Sequence, residues 1–213
     1  MFNVLFEDKN LIVLIKPVGV SSEDGMISLL REYLGDTNHY IGVIHRLDTA
    51  VSGVMVYAKT KTAAADLSKQ IQNGTFIKKY LAVVLGKPEN NNGRYDDLLF
   101  KDSTKNKSFV VKNERKGVKK ASLSYNVLGE HQLDNGNISL VKIQLHTGRT
   151  HQIRVQFSSR KMPLLGDKKY GSKFDCPIAL FSHSLTFVHP ETKKEVCFEA
   201  LPESIFPFNK FEI

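Results

Sequence analysis

Apolar residues recur at every second position in three parts of this chain. In "ISLVKIQLH", Val141, Ile143 and Leu145 alternate with Lys142 and Gln144. In "FSHSLTFV", Phe181, His183, Leu185 and Phe187 oppose Ser182, Ser184, Thr186 and Val188. In "FIKKYLAVVLG", Ile77, Leu81, Val83 and Leu85 share one face, leaving Phe76, Lys78, Tyr80 and Ala82 on the other. This period predicts half-buried strands whose polar sides look at water or at a ligand.

Two stretches follow the helical period instead. "KTAAADLSKQIQNG" carries three alanines, apolar spacing from Ala63 through Leu67 to Ile71, and a closing Asn73-Gly74. "THQIRVQFSSRK" puts Ile153 and Phe157 on one face, with His151, Arg154 and Ser158 together on another. A third helix is expected over "DGMISLLREYLG", ending at Gly35. Turn signals separate the elements at "KPENNNGR", at "LDNGN" around Asn135, and at "HPETKK". Strands outnumber helices and hairpin-like turns join several of them. The expected class is therefore α+β, with a largely antiparallel sheet and a few helices beside it.

Size and composition narrow the picture. The chain has 213 residues, 41% of them apolar, enough for one sizeable core, with two smaller domains allowed. No run approaches the roughly 20 apolar residues that cross a bilayer. The early run "LIVLI" lacks the basic lead-in and cleavage site of a signal peptide, so a cytoplasmic protein is expected. Cys176 and Cys197 are too far apart for the close pairing of a zinc site and too few for a disulfide framework; both read as packing residues. No heptad or long amphipathic helix suggests assembly, and a monomer is expected.

Charge adds a candidate partner. The net charge is +8, and the window from Lys101 to Lys120 holds eight basic residues against Asp102 and Glu114, most of that excess. A Lys-rich solvated surface is the bland reading. So local a cluster fits better with neutralising phosphates, which favours nucleic acid.

The segment "IGVIHRLDTAVSGVMVYAKT" sets His45, Arg46 and Asp48 inside what otherwise reads as buried strand. In an extended chain Arg46 and Asp48 point one way, His45 and Leu47 the other. Spacing alone leaves two readings open: an ion pair tying a loop, or a working carboxylate held beside a cation.

"HRLDTAVSG" resembles the catalytic motif of the RluA family of pseudouridine synthases, His-Arg-Leu-Asp followed closely by Ser-Gly. "NLIVLIKPVGV" resembles that family's opening strand and its Lys-Pro-x-Gly, and "KKYLAVV" the segment with its active-site tyrosine. "LHTGRTHQIRVQFSSRKMPLLGDKKYG" resembles its Thr-Gly-Arg-x-His-Gln-Ile-Arg motif, then Pro-x-x-Gly-Asp and Tyr-Gly. The four segments stand in the family's order and span roughly residues 4 to 200.

The resemblance implies a pseudouridine synthase-like fold, with a mixed, largely antiparallel sheet, flanking helices and a central catalytic cleft. It implies one catalytic domain over 1–213, with no S4-type RNA-binding domain before it, and an RNA partner. The reaction breaks the N1–C1′ bond of a uridine, turns the base and joins C5 to the sugar, so neither metal nor organic cofactor is implied. Asp48 is assigned as nucleophile, Arg154 as the cation that keeps it ionised, and Tyr80 as the ring that stacks on the target base. Taken without the motif, Arg154 would read as a surface helix cation and Tyr80 as a core tyrosine. Arg46 is assigned to the place vacated when the uridine flips out.

His45, Arg149 and His151 match motif positions, with RNA contact or loop support implied, and Lys119 and Lys120 are candidate phosphate contacts. Lys16 and Pro17 shape the cleft, while Gly53, Gly148 and Gly166 meet backbone needs. The chain departs from the family at Val51, where threonine is usual, and at "SSEDG", where Val-His is usual. Two rival readings are an RNA-binding protein of the same fold without turnover, and a serine hydrolase using Ser52. The second lacks any G-x-S-x-G element.

Overall fold

The computed structural model describes residues 2–134 and 136–213; Asn135, at the centre of the expected "LDNGN" turn, lies outside them. Among the described residues the fold is α+β, with three α-helices and mostly antiparallel strands. The chain falls into two compact units, Met1–Lys78 with Phe181–Pro202, and Lys79–Leu180 with Glu203–Ile213.

The first unit contains β1 (Asn3–Glu7), β2 (Leu11–Lys16), β3 (Gly42–Val43) and β4 (Ser52–Ala58), with β10 (Leu180–Val188) and β11 (Glu195–Glu199) from late in the chain. Its helices are α1 (Asp24–Leu34) and α2 (Lys61–Asn73). Strand β4 lies antiparallel to β2 and β3 and parallel to β10. It does not alternate, because it is covered on both faces: Val54, Met55, Val56 and Tyr57 are all fully buried. Gly53, with φ at +131°, is required here, since a Cβ would run into the backbone of Ser182 on β10. Leu11, Val13, Val54, Val56, Leu67, Phe76, Leu185 and Phe187 form one apolar cluster. Helix α2 starts where Thr60 Oγ1 accepts the Ala63 N–H at 3.2 Å and stops at left-handed Gly74, as its sequence predicted. Helix α1 likewise ends at left-handed Gly35.

The second unit contains β5 (Ile77–Leu85), β6 (Asn92–Asp102), β7 (Lys107–Val111), β8 (Val118–Leu133) and β9 (Gly136–Leu145), in the spatial order β5-β9-β8-β6-β7. The long β8 pairs with β6 along its first half and with β9 along its second. Helix α3 (Gln152–Ser158) packs against this sheet, beside the cluster of Leu99, Ala121, Val155 and Tyr170. Tyr95, Tyr125 and Phe157 pack ring against ring, with centroids 4.7 to 5.9 Å apart.

Three expectations need correction. Helix α3 is shorter than "THQIRVQFSSRK", because His151 is left-handed (φ 53°) and the helix begins only at Gln152. Strands β5 and β10 are not half-buried: Ser182 and Ser184 are as buried as their apolar neighbours, and the Ser182 hydroxyl donates to the Val54 carbonyl at 2.9 Å. A serine whose hydroxyl finds a backbone acceptor can sit in a core face, so polarity misled the period. Cys197 is exposed on β11 rather than packed, whereas Cys176 is half-buried.

Candidate active site

The motif residues fall into both units. His45 to Asp48 lie in the irregular segment between β3 and β4, not in a strand as their apolar flanks suggested. The in-and-out order of an extended segment nevertheless holds: His45 and Leu47 are buried, Arg46 is exposed and Asp48 is half-buried. The Arg46 guanidinium meets the Glu23 carboxylate at 3.1 Å in an exposed pair.

Neighbouring side chains hold this segment through its backbone. The Ser22 hydroxyl donates to the Leu47 carbonyl at 2.8 Å and accepts the Leu47 N–H at 3.0 Å, so one buried serine holds the peptide groups on both sides of Leu47, the residue before Asp48. Ser22 comes from "SSEDG", the departure from the family pattern. On the other side the Thr49 carbonyl accepts the Gly19 N–H at 2.8 Å, and the Asp48 carbonyl accepts the Val51 N–H at 2.9 Å. Val51, the other departure, is buried, so a methyl packs where a threonine hydroxyl would need a partner.

Lys16 is fully buried at the end of β2, and its ammonium donates to the carbonyls of Pro17 (2.7 Å), Val20 (2.9 Å) and Thr49 (3.4 Å). Burial pulls its pKa down to about 8, and the Asp48 charge opposes that pull. The Ser52 hydroxyl is engaged with the Lys16 carbonyl at 2.7 Å, which is a structural task and gives the hydrolase reading no support.

His45, expected among the RNA contacts, is a buried side chain in this structure. Its ring is 9% exposed, lies 5.7 Å from the Phe76 ring, and accepts the Val56 N–H at Nε2. Burial lowers its pKa to about 3, with the Lys78 charge adding to the effect, so the imidazole is neutral at any working pH.

In the second unit Tyr80 is buried in β5, 5% exposed. Arg154 is buried in α3, which corrects the surface-cation alternative. Its Nε and Nη2 donate to the two oxygens of Asp167 at 2.7 and 2.8 Å, and its Cζ lies 5.1 Å from the centre of the Tyr170 ring. Asp167 has no exposed surface. The Tyr170 hydroxyl accepts the Ser108 N–H at 2.8 Å and lies 3.0 Å from His151 Nδ1. His151, expected beside Arg154 on a helix face, instead occupies the turn before α3.

Gln152 closes that turn. Its side-chain oxygen accepts from the Thr147 hydroxyl (2.8 Å) and the Arg149 N–H (3.0 Å), while its amide donates to the Ser122 carbonyl (3.0 Å). Arg149 reaches the basic segment, donating from Nε to the Lys120 carbonyl at 2.8 Å. Lys119 and Lys120 are exposed at the start of β8. Lys120 borders a surface groove of about 480 Å³ with Leu98, Glu114, Arg115 and Val118.

Sequence reasoning passed over Ser22, Gln152, Asp167 and Tyr170 as functional side chains. Three of them stood at quoted motif positions, Gln152 in His-Gln-Ile-Arg, Asp167 in Gly-Asp and Tyr170 in Tyr-Gly, whereas Ser22 lies in the departing "SSEDG" and carried no such signal. Among the described residues no group of three or more His, Cys, Asp or Glu side chains is placed to hold a metal ion. No helix there is long and apolar enough to cross a membrane.

Residues 10–159 match the family model described as RNA pseudouridylate synthase. The ribosomal large subunit pseudouridine synthase C of Buchnera aphidicola is 34% identical over 220 residues, covering 95% of this chain and 68% of that protein. An uncharacterized RNA pseudouridine synthase of Aquifex aeolicus is 32% identical, over 92% of this chain and 68% of its own. Human RNA pseudouridylate synthase domain containing 4 matches with a TM-score of 0.77 at 26% identity, over 94% of this chain and 89% of that one.

Proposed function

The chain belongs to the RluA family of RNA pseudouridine synthases, and on that premise we propose that it isomerises specific uridines of ribosomal or transfer RNA with Asp48 as the nucleophile. The enzyme is an isomerase acting on RNA: one N1–C1′ bond is broken and one C5–C1′ bond made within the same nucleotide, so no co-reactant is consumed. The names of the relatives, ribosomal large subunit synthases among them, weigh toward ribosomal RNA.

The observation that carries this reading is the half-buried aspartate of His-Arg-Leu-Asp in a segment pinned on both sides, by Ser22 and by Lys16. A carboxylate that must meet one carbon atom needs such fixed backbone. Arg154 serves as the cation toward that carboxylate and Tyr80 as the ring against the base. Arg46, exposed and paired with the solvent-facing Glu23 carboxylate, exchanges Glu23 for RNA when the uridine leaves its stack. Arg149 and His151 support the turn before α3, and Lys119 and Lys120 meet phosphates. His45 is left as a packing residue.

Mapping pseudouridine in ribosomal and transfer RNA transcripts after incubation tests the assignment. Asp48→Asn should reduce product by more than about 10⁴-fold while melting like the parent protein. Normal turnover by that variant would remove Asp48 from the mechanism, and RNA binding without product in the parent would favour the turnover-free reading. Lys119→Glu with Lys120→Glu should lower the slope of log affinity against log salt by about 1.5 to 2. An unchanged slope would mean these two lysines face away from the RNA.

A further inference from the structure

We propose that Asp167 is the positioning residue for Arg154, fixing the plane and direction of its guanidinium for the isomerisation. This rests on the reading of Arg154 as a cation acting in that reaction.

Both carboxylate oxygens are committed to Arg154, at 2.7 Å to Nε and 2.8 Å to Nη2. Two parallel bonds define a plane, so the guanidinium cannot turn about its stem without losing both. The Tyr170 ring, 5.1 Å from Cζ, packs on the same group. Each holder is itself held. The Asp167 carbonyl accepts the N–H groups of Tyr170 and Ser172, both at 3.0 Å, and its own N–H donates to Leu164. Gly166 before it is left-handed (φ 74°), where a Cβ would meet the carbonyls of Cys176 and Pro177, so this turn admits no other residue cheaply. Tyr170 is fixed through Ser108 and stands against His151.

Stability alone does not account for this arrangement. Taking two charges out of water costs about as much as their attraction returns, and a well-packed apolar pair serves a core equally well. A fully buried aspartate gripping a buried arginine in the bidentate geometry is what a cation of fixed direction requires. Lysine at 154 would not substitute, since an ammonium has no plane to hold.

The experiment measures kcat and KM separately on an RNA transcript. Asp167→Asn keeps the size but turns an amide donor toward the guanidinium; kcat should fall about 100-fold, with KM changed less than about twofold. Asp167→Glu keeps the charge, displaces it by one methylene, and should fall in the same direction. A kcat within about threefold of the parent in either folded variant, or a rise in KM with kcat unchanged, would overturn the proposal. A second readout needs no variant at position 167. In the parent protein the Arg154 Nε–H should resist solvent exchange and its two Nη groups should give separate nitrogen resonances. Rapid exchange and averaged Nη signals would equally overturn it. If the parent makes no pseudouridine at all, the functional reading fails instead, and the two failures are distinct.

Discussion

The segment bearing Asp48 is tied down at main-chain atoms, by Ser22 at Leu47 and by Lys16 and Gly19 at Thr49. Arg154 is tied down at its own guanidinium, by Asp167 and Tyr170. The difference follows from what each group is proposed to do. A nucleophile uses its carboxylate oxygens in bond making, so its neighbours grip the chain beside it. A supporting cation must keep a direction, so its neighbours grip the side chain.

The comparison breaks most sharply at Asp167. Alanine there leaves a buried guanidinium without its carboxylate and should cost about 3–5 kcal/mol in denaturant unfolding. A loss under about 1 kcal/mol would mean that water takes over the role.

Lys16 gives the next effect, and its sign depends on pH. Its pKa is depressed in the folded protein to about 8 from 10.5. Between those values the unfolded chain keeps a proton that the folded chain has shed, so stability rises with pH there. Relative to Lys16→Met, the parent should gain up to about 3 kcal/mol from pH 8 to 10.5. A flat difference between the two curves would show that the three carbonyls hold the ammonium at its ordinary pKa.

Ser22→Ala is the mildest break. Removing the hydroxyl leaves the Leu47 N–H and carbonyl short of a partner in a buried place, at about 1–2 kcal/mol. Turnover should fall further than that stability loss accounts for, measured well below the melting temperature. Parallel losses in both would reduce Ser22 to a packing role.

Element existence was largely legible before the structure. Helices α1 and α2 end at the glycines their patterns named, and the strands over "ISLVKIQLH" and "FSHSLTFV" are present. Apart from Cys197, which is exposed rather than packed, the errors come from polar side chains satisfied inside the protein. Period-two reasoning takes a serine for a water-facing residue, and Ser182 shows a hydroxyl at home in the core once a carbonyl lies across from it. The reading of α3 failed similarly, because the Gln152 side chain satisfies the turn donors and lets the helix start late. His45, read as a contact by its motif position, is a ring packed on Phe76.

Sequence alone determined the family, the class of fold and the segment bearing Asp48, since these rest on local order: motif spacing, apolar period and turn residues. Only the tertiary structure decided what holds those residues. Ser22 reaches Leu47 across 25 positions and Asp167 reaches Arg154 across 13, and such bonds form where packing brings distant groups within about 3 Å. Burial decided their weight in the same way, because it is the excluded water that makes a lone carboxylate or ammonium commit to one partner.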